Sequence, residues 1–332
     1  MVLILGRNDD GSTTEVLEWL YFYNKVVLVL NTEDPITIVK YSPSQKKFII
    51  MKDGVYYNLY DVTSVWNRRH GLSHLVLTRQ YIDKDSQFFI EESDKTHYNY
   101  VREESKCLVD FIHYLVEQKS VVKLGSFFYN DVNKLIVLSE ANALGLMTPP
   151  TIIVSTKVEL LDFRNEFIDY NIITKPLSQG IYRSDINNRF LYYSYVERIT
   201  EERMNNLPNH FYPSLFQVEE KKSYELRIFF LMGEFYTMAI FSQLKADAVV
   251  DFRKTNHREK ALVCVPFKLP KKIEKKLTLL MNKLKLNTGS IDMIVNDKSE
   301  YVFLEINPCG QFGMTSYPCN YYLERKIAQI LI

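Results

Sequence analysis

Glycine is scarce in this chain, with 11 residues out of 332. A dinucleotide-binding fold needs a glycine-rich turn of the form GxGxxG, and the sequence contains none. The six histidines form no Ser-His-Asp or Cys-His pattern that stands out. We therefore predict neither a dinucleotide-binding enzyme nor covalent catalysis by an enzyme nucleophile.

Cysteine is also sparse, and none of the four residues lies in a CxxC pair, which argues against a zinc site. Cys309 and Cys319 are near enough in sequence for pairing to stay open. The apolar N-terminal run Met1–Leu5 is too short for a secretion signal, however. We therefore expect reduced thiols and a cytoplasmic protein.

Long apolar runs and a charge excess are both missing. No run reaches the roughly 18 residues that indicate a membrane span. The net charge is +1, without the basic excess typical of nucleic-acid-binding domains. We expect neither a membrane nor a nucleic acid as partner. The 46% hydrophobic content predicts a packed core, and 332 residues allow two or three domains.

The most informative stretch present lies between residues 289 and 313, where two apolar runs flank a turn-forming segment, Asn296–Ser299. With the turn centred between Asp297 and Lys298, Asp292 lies opposite Phe303. Because strand side chains alternate between faces, Glu305 and Asn307 share the face of Asp292.

Two carboxylates and one amide on a shared face of a buried hairpin favour a metal ion. Buried unpaired carboxylates are costly, and Mg²⁺ is commonly held by one or two carboxylates, waters and substrate phosphates. The alternative is that Asp292 and Glu305 face solvent or pair with lysine, as single acids in strands usually do.

The N-terminal 120 residues predict an α/β unit. A strand at Val2–Leu5 precedes a helix at Thr13–Tyr23, with Ser12 or Thr13 as its cap, and a buried strand follows at Val26–Leu30. Paired apolar segments flank a hairpin turn at Lys52–Gly54. The segment WNRR, residues 66–69, ends a strand; two arginines of this kind are usually solvated or salt-bridged.

Helices and strands alternate through the rest of the chain. Later predicted elements include helices at residues 103–119, 130–143, 198–206, 271–284 and 319–331, and strands at 171–176, 224–230 and 235–241. Gly145 and the Pro149–Pro150 pair end the second of these helices. Thr200 caps the third helix, whose acidic first turn complements the helix dipole.

The order of Asp292, a dozen residues, then Glu-Ile-Asn-Pro resembles the metal-binding end of the ATP-grasp ligases. The longer ending FLEINPCGQFGMTSYPCNYYLERKIAQIL, with the WNRR segment and the hinge-like FQVEE at residues 216–220, resembles the microviridin-type graspetide synthetases. Within these it resembles the grasp-with-spasm maturases. The resemblance implies an α/β (α+β) ATP-grasp fold with an N-terminal pre-ATP-grasp domain at 1–120, a central domain at 121–215 and a C-terminal domain at 216–332.

The resemblance also implies roles for individual residues. The metal ligands are Asp292, Glu305 and Asn307. The ATP-binding residues are Lys134, Lys175, Ser178, Gln217, Val218, Glu219 and Glu220, with either glutamate as the ribose ligand. The catalytic residues are Arg227, Asp251 and Arg253, and a leader peptide contacts Glu202 and Asn206. Without the resemblance, Lys134 is an ordinary exposed helix residue and Asp251 and Arg253 an ordinary surface pair.

The implied function is an ATP- and Mg²⁺-dependent ligase that joins side chains of a ribosomally made precursor peptide into ester or amide macrocycles. An acyl phosphate is the intermediate, and the precursor, leader plus core, is the partner; a homodimer is left open. Two alternatives remain: a ligase that joins free amino acids or adds glutamate to a protein, and a non-catalytic nucleotide-gated binding module.

Overall fold

The computed structural model describes residues 1–69, 71–82, 95–178, 182–184, 191–193, 196–241 and 262–332. Its strands are β1 (Val2–Gly6), β2 (Val27–Asn31), β3 (Thr37–Ser42), β4 (Lys47–Lys52), β5 (Val55–Asn58), β6 (Ser64–Asn67), β7 (Val122–Leu124), β8 (Thr151–Thr156), β9 (Ile172–Thr174), β10 (Tyr182–Ser184), β11 (Leu191–Tyr193), β12 (Glu197–Arg198), β13 (His210–Val218), β14 (Lys222–Leu231), β15 (Glu234–Phe241), β16 (Val263–Phe267), β17 (Thr288–Asn296) and β18 (Tyr301–Asn307). Its helices are α1 (Gly11–Phe22), α2 (His74–Ile82), α3 (Lys95–Lys119), α4 (Lys134–Ala143), α5 (Lys157–Glu166), α6 (Glu201–Asn206), α7 (Lys271–Lys283), α8 (Gly313–Cys319) and α9 (Leu323–Ile330).

The chain divides into two compact units. The first contains residues 1–131, 285–289 and 308–332, and the second contains 132–284 and 290–307. Both mix helices with sheets, so the predicted α+β class is confirmed. The three-domain division at residues 120 and 215 stays a prediction.

A parallel sheet in the order β2-β1-β6-β7 forms the centre of the first unit. Strand β1 is buried along its whole length, because a central parallel strand is covered on both faces. The segment between β2 and β6 forms a small antiparallel sheet, β3-β4-β5. Its β4 and β5 confirm the hairpin predicted around Lys52–Gly54. Asp53 and Gly54 have φ of 51° and 76°, as the tight turn between β4 and β5 requires.

The start of α1 corrects one prediction. The helix begins at Gly11, so its N-cap is Asp10 rather than Ser12 or Thr13. The Asp10 side chain caps nothing; it pairs with Arg68 and Arg69 at 2.8 and 3.2 Å. Asp10 therefore serves the two guanidinium groups instead of the helix end. Removing this buried carboxylate would leave their charges uncompensated, which is strongly destabilising.

Arg68 is buried and salt-bridged to Asp10, so of the two environments expected for the WNRR arginines it has the salt-bridged one. Its guanidinium lies over the rings of Trp66 and Phe312, and Nη1 donates to the carbonyls of Cys309 and Gly310 at 3.0 and 2.7 Å. Burial lowers the pKa of Arg68, while Asp10 opposes that change. This arginine thus fixes a chain segment some 240 residues away within the first unit.

The predicted closing helix at residues 319–331 begins later than predicted, as α9 at Leu323, while Cys319 ends a separate helix, α8. Asn320 and Tyr322 both adopt φ of 53° between them, and Asn320 in the left-handed conformation ends α8. Helix α9 packs on α1, where Arg325 lies over the ring of Trp19.

The second unit is built on two larger sheets. One has the order β12-β9-β13-β8, and the other has the order β16-β15-β14-β17-β18. The strands predicted at 224–230 and 235–241 are confirmed as β14 and β15, which pair as an antiparallel hairpin with Arg227 opposite Met238. Along β17 eight of nine residues are buried, and the exception is Asp292. A charged side chain in an otherwise buried strand marks this position for something other than packing.

His113 is a buried neutral side chain in α3. Its Nδ1 lies 2.8 Å from the carbonyl of Val109, which can only accept, so Nδ1 carries the proton. The ring stacks on Phe127, and Nε2 is buried with no hydrogen-bond partner among the residues that the structure describes. A Cβ at Gly71, where φ is +63°, would lie 2.6 Å from Nε2, so glycine is required there. Burial lowers the pKa of His113 to about 4.

The lowered pKa of His113 predicts a loss of stability in acid. Above the ordinary histidine pKa of 6.5, the His113 side chain is neutral in the folded and in the unfolded chain. Between there and about 4, only the unfolded chain binds the proton, so the free energy of unfolding should fall by up to about 1.4 kcal/mol per pH unit. Urea unfolding from pH 4.5 to 7.5 should show this slope in the wild type and a smaller one in His113→Phe. Equal slopes would contradict the assignment.

Candidate active site

The hairpin of β17 and β18 positions the candidate metal ligands. Asn296 shapes its turn: the Oδ1 atom accepts from the backbone N–H of Lys298 and Glu300 at 3.1 and 2.8 Å, and Ser299 has φ of 63°. Pairing then begins with Tyr301 opposite Val295. An asparagine that satisfies two turn N–H groups specifies where the strands start to pair.

A β-bulge places Glu305 directly opposite Asp292. Phe303 pairs with Met293, Leu304 has no partner, and Glu305 pairs with Asp292. Continuous pairing from the turn would set Leu304 opposite Asp292 and turn Glu305 to the other face. The predicted pairing of Asp292 with Phe303 is therefore wrong, but the predicted shared face of Asp292 and Glu305 is confirmed.

Asn307 extends this face of the hairpin. It pairs with Ser290, two residues from Asp292 along β17, and its side chain is exposed. Alternation along β18 places it on the face of Glu305, as predicted. The described part of the chain holds no group of three or more His, Cys, Asp or Glu residues suited to a metal. The available donors are thus two carboxylates and one amide.

Arg227 on β14 contacts Asp292 on the neighbouring strand β17. Its Nη1 lies 2.5 Å from both carboxylate oxygens, and both side chains are largely buried. The Nε atom of Arg227 is buried and has no hydrogen-bond partner among the described residues. Because the two residues stand on adjacent strands of one sheet, their contact is fixed by the backbone rather than by a loop.

Lys134, the first residue of α4, approaches Glu305. Its Nζ lies 3.7 Å from Oε2 and 3.4 Å from the carbonyl of Pro176. The helix begins here because Asn133 caps it, accepting from the N–H groups of Leu135 and Ile136. The distance to Glu305 is beyond a hydrogen bond, so the attraction is mainly Coulombic.

Lys175, just after β9, belongs to the same cluster. Burial lowers the pKa of its ammonium group, and the nearby charge of Lys134 adds to this, whereas Glu305 and Asp292 oppose it. No carboxylate among the described residues lies within 4 Å of it as an ion pair. The balance therefore disfavours the charged form, so the site has a cation that an anion would stabilise.

The hinge segment between β13 and β14 is well fixed. The backbone N–H groups of Val218 and Glu219 donate to Pro150 and Asn171 at 2.9 and 2.8 Å. Gln217 is buried and donates from Nε2 to Thr151 at 2.8 Å. The two N–H groups and the amide are thus committed to the protein itself.

The two hinge glutamates differ in environment. Glu219 receives two hydrogen bonds from Arg198, at 2.6 and 2.7 Å. Burial raises the pKa of Glu220. The involvement of Arg198 was missed from the sequence, because no spacing rule connects β12 to a residue 21 positions later.

A groove of about 720 Å³ lies between α6 and the sheet of β9 and β13. Both predicted leader residues, Glu202 and Asn206, line it. Its floor is apolar, with Ile199, Leu207, Phe211 and Phe216 among the lining residues. Helix α6 begins at Glu201 after the predicted cap Thr200, whose hydroxyl accepts from the N–H of Arg203 at 3.2 Å.

Two predicted catalytic residues, Asp251 and Arg253, lie outside the described residues. Ser178 is described and exposed, three residues after Lys175. The second unit brings together five of the predicted residues, to which the resemblance assigned metal binding, ATP binding and catalysis: Asp292, Glu305, Lys134, Lys175 and Arg227.

The whole chain is similar to solved structures of peptide-modifying enzymes. The macrocyclase MdnC from Microcystis aeruginosa MRC, solved with precursor peptide MdnA, shares 29% identity over 100% of this chain and 99% of its own, with a TM-score of 0.77. The chain is an ATP-grasp ligase related to the peptide macrocyclases. No protein-family model and no curated protein sequence matches it.

Two further structures share the fold of this ATP-grasp ligase. A RiPP-associated ATP-grasp ligase from Chryseobacterium gregarium, in complex with ADP and a leader and core peptide, is 20% identical over 99% of this chain and 94% of its own, at a TM-score of 0.73. The ATP-grasp ligase PsnB, complexed with minimal precursor, Mg and ADP, is 14% identical over 99% of this chain and 96% of its own, at a TM-score of 0.71. At such identities the likeness concerns the fold alone, and the grasp-with-spasm subgroup stays a prediction.

We predict that Lys175, which is assigned to phosphate binding, lowers the stability of this ligase because its charged form is disfavoured. Replacing Lys175 with methionine keeps the length of the side chain and removes a cation whose charged form is disfavoured. The free energy of unfolding should rise by about 1 kcal/mol, because the half-buried charge no longer has to be desolvated. Urea denaturation measures this.

Lys283→Met is the matched control, since Lys283 pairs with Glu140 in the same unit at a half-exposed position. It should change the free energy of unfolding by less than about 0.5 kcal/mol. A loss of stability in Lys175→Met larger than in the control would contradict the interpretation that the charged form of Lys175 is disfavoured.

Proposed function

We propose that this ligase uses ATP and Mg²⁺ to form ester or amide bonds between side chains of a precursor peptide. The observation that carries the proposal is the cluster of Asp292 and Glu305 with Lys134, Lys175 and Arg227 in one unit. The likeness to MdnC, a macrocyclase solved with its precursor peptide, supports a peptide as the substrate.

The donor set fits Mg²⁺. Asp292 and Glu305 face each other across β17 and β18, and Asn307 adds an amide oxygen on the same face. Two carboxylates that leave room for waters and phosphate oxygens are what Mg²⁺ prefers over a full protein cage. When bound, the ion would neutralise charge on the transferred phosphoryl group. PsnB, with the same fold, was solved with Mg and ADP.

The phosphates of ATP are assigned to Lys134 and Lys175, since both are cations beside the metal carboxylates and Lys175 lacks a close anionic partner among the described residues. Ser178 is assigned as a donor to the phosphates. At the hinge Gln217, Val218 and Glu219 shape the adenine pocket. Glu220 is the better ribose ligand, because Arg198 already occupies Glu219.

The reaction follows from charge. A carboxylate oxygen of an Asp or Glu in the peptide takes the γ-phosphoryl group of ATP, and ADP leaves. A Ser or Thr hydroxyl or a Lys amine of the same peptide then attacks the acyl carbon, and phosphate leaves with loss of a proton. Each bond thus removes one water from the peptide. The ligase contributes positioning and electrostatic stabilisation, with Arg227, Arg253 and Asp251 assigned to the reacting carboxylate and phosphoryl group.

A leader segment is assigned to the groove beside α6. Its apolar floor suits the hydrophobic face of a peptide, while Glu202 and Asn206 offer a carboxylate and an amide at the rim. Leader binding in the same unit as the phosphate cluster would raise the effective concentration of the core peptide. The C. gregarium ligase, with a similar fold, was solved with a leader and core peptide.

The cytoplasm is the proposed location. ATP is abundant there, and none of Cys107, Cys264, Cys309 and Cys319 forms a disulfide. No described helix is long and apolar enough to cross a membrane. Whether two copies associate is open to measurement by light scattering.

Neutralising either metal carboxylate should abolish turnover. Asp292→Asn and Glu305→Gln keep the size of each side chain, so the fold should persist while ADP production from ATP, Mg²⁺ and peptide falls at least about 100-fold. Circular dichroism checks the fold. Glu300→Gln, an exposed acid at the turn of the same hairpin, is the control and should retain activity. Near-wild-type turnover in either site variant would rule out this metal site.

Mass spectrometry tests the proposed function itself. With ATP, Mg²⁺ and its precursor, the ligase should give peptide lighter by one water per bond, with ADP and phosphate in equal amounts. AMP and pyrophosphate would refute the acyl phosphate. Leaderless peptide should react much more slowly. Equal rates without the leader, or with free amino acids, would favour the ligase of free amino acids, and nucleotide binding without ADP formation would favour a binding module.

A further inference from the structure

We propose that Arg227 is the counter-cation of Asp292 and makes metal binding depend on the phosphates of the nucleotide. The inference rests on the proposed function in one respect, which is that Asp292 is taken as a metal ligand. It adds an order of events: the metal binds Asp292 only when Arg227 leaves that carboxylate, and the guanidinium of Arg227 then binds the phosphates.

The contact between Arg227 and Asp292 carries the proposal. One nitrogen, Nη1, lies 2.5 Å from both carboxylate oxygens. A divalent ion bound to those oxygens would occupy the place where Nη1 lies, so arginine and metal compete for one carboxylate. The competition is strong because the side chains are only 13% and 25% exposed, where water screens charge poorly.

Arg227 also has unused hydrogen-bonding capacity. Its buried Nε has no hydrogen-bond partner in the described part of the chain, and a guanidinium carries five N–H donors. A buried donor left unpaired costs free energy, so an incoming acceptor at this group is favourable. Phosphate oxygens match a guanidinium in charge and in geometry, and lie beside the metal in any Mg²⁺–nucleotide complex.

The net charge of the cluster points the same way. Lys134, Lys175 and Arg227 contribute three positive charges, against two negative charges from Asp292 and Glu305, so the balance is +1. Adding Mg²⁺ alone would raise the balance to +3, whereas Mg²⁺ with a di- or triphosphate lowers it. The five residues therefore favour joint binding of metal and nucleotide over binding of either alone.

Lys134 and Glu305 form a second cation–carboxylate pair at the site, with a weaker attraction than that between Arg227 and Asp292. Their 3.7 Å separation is longer than that of Arg227 and Asp292, and Lys134 also donates to the carbonyl of Pro176. Its attraction to the carboxylate is accordingly smaller. Arg227 is thus the residue at which competition with the metal should be measurable.

The test measures Mn²⁺ affinity by electron paramagnetic resonance, with and without ADP, in the wild type and Arg227→Gln. Without ADP, the variant should bind Mn²⁺ roughly tenfold more tightly, because a cation beside the metal carboxylate is gone. The factor by which ADP strengthens Mn²⁺ binding should shrink accordingly. A variant that merely disturbs the fold would weaken Mn²⁺ binding in both conditions.

Two controls identify the site. Asp292→Asn should remove the ADP-strengthened Mn²⁺, which shows that the ion under study is the one at Asp292. Arg164→Gln removes an arginine–carboxylate pair elsewhere in the second unit, that of Arg164 with Glu201, and should match the wild type. Circular dichroism monitors folding; if Arg227→Gln fails to fold, Arg227→Lys replaces it and should tighten Mn²⁺ alone about threefold through its looser contact.

Each outcome decides the matter. Tighter Mn²⁺ binding without ADP, together with a smaller effect of ADP, supports the proposal. Unchanged or weaker Mn²⁺ binding in a folded Arg227 variant overturns it, while wild-type binding of ADP and Mn²⁺ leaves the ligase function standing. Absence of any ADP binding by the wild type would instead remove the proposed function together with this inference.

Discussion

Repulsion between two facing carboxylates is the constraint on which the second unit depends. Asp292 and Glu305 stand opposite each other on adjacent strands, and like charges in that arrangement destabilise a sheet. Each has a cation from a different element: Arg227 from β14 and Lys134 from the start of α4. The cap at Asn133 and the strand order of the sheet thus serve one electrostatic purpose.

Much of this arrangement was predictable, though one part was right for an incomplete reason. A turn centred between Asp297 and Lys298, half a position before the observed centre at Lys298, places Asp292 opposite Phe303. The real turn is one residue longer, and the bulge at Leu304 adds another, so the two shifts together restore the original parity. The shared face therefore survived an error in pairing, because alternation has a period of two.

Other features had no signal in the sequence. A capping pattern at Ser12 or Thr13 is local, whereas the pairing of Asp10 with Arg68 and Arg69 joins residues some 60 positions apart. The same holds for Arg198 with Glu219. Local rules describe helix ends and turns, but the partner of a charged side chain is chosen by tertiary packing. The break between α8 and α9 was missed because it depends on φ at Asn320 and Tyr322.

The bulge at Leu304 restricts how this hairpin can change its length over evolution. Removing or adding one residue between Met293 and Glu305 on the paired strands would carry Glu305 to the opposite face, away from Asp292. Two such changes would restore it, as the turn and the bulge together already do. Related chains that keep both carboxylates in use should therefore differ in the length of these strands by even numbers of residues, or compensate an odd difference with a bulge gained or lost.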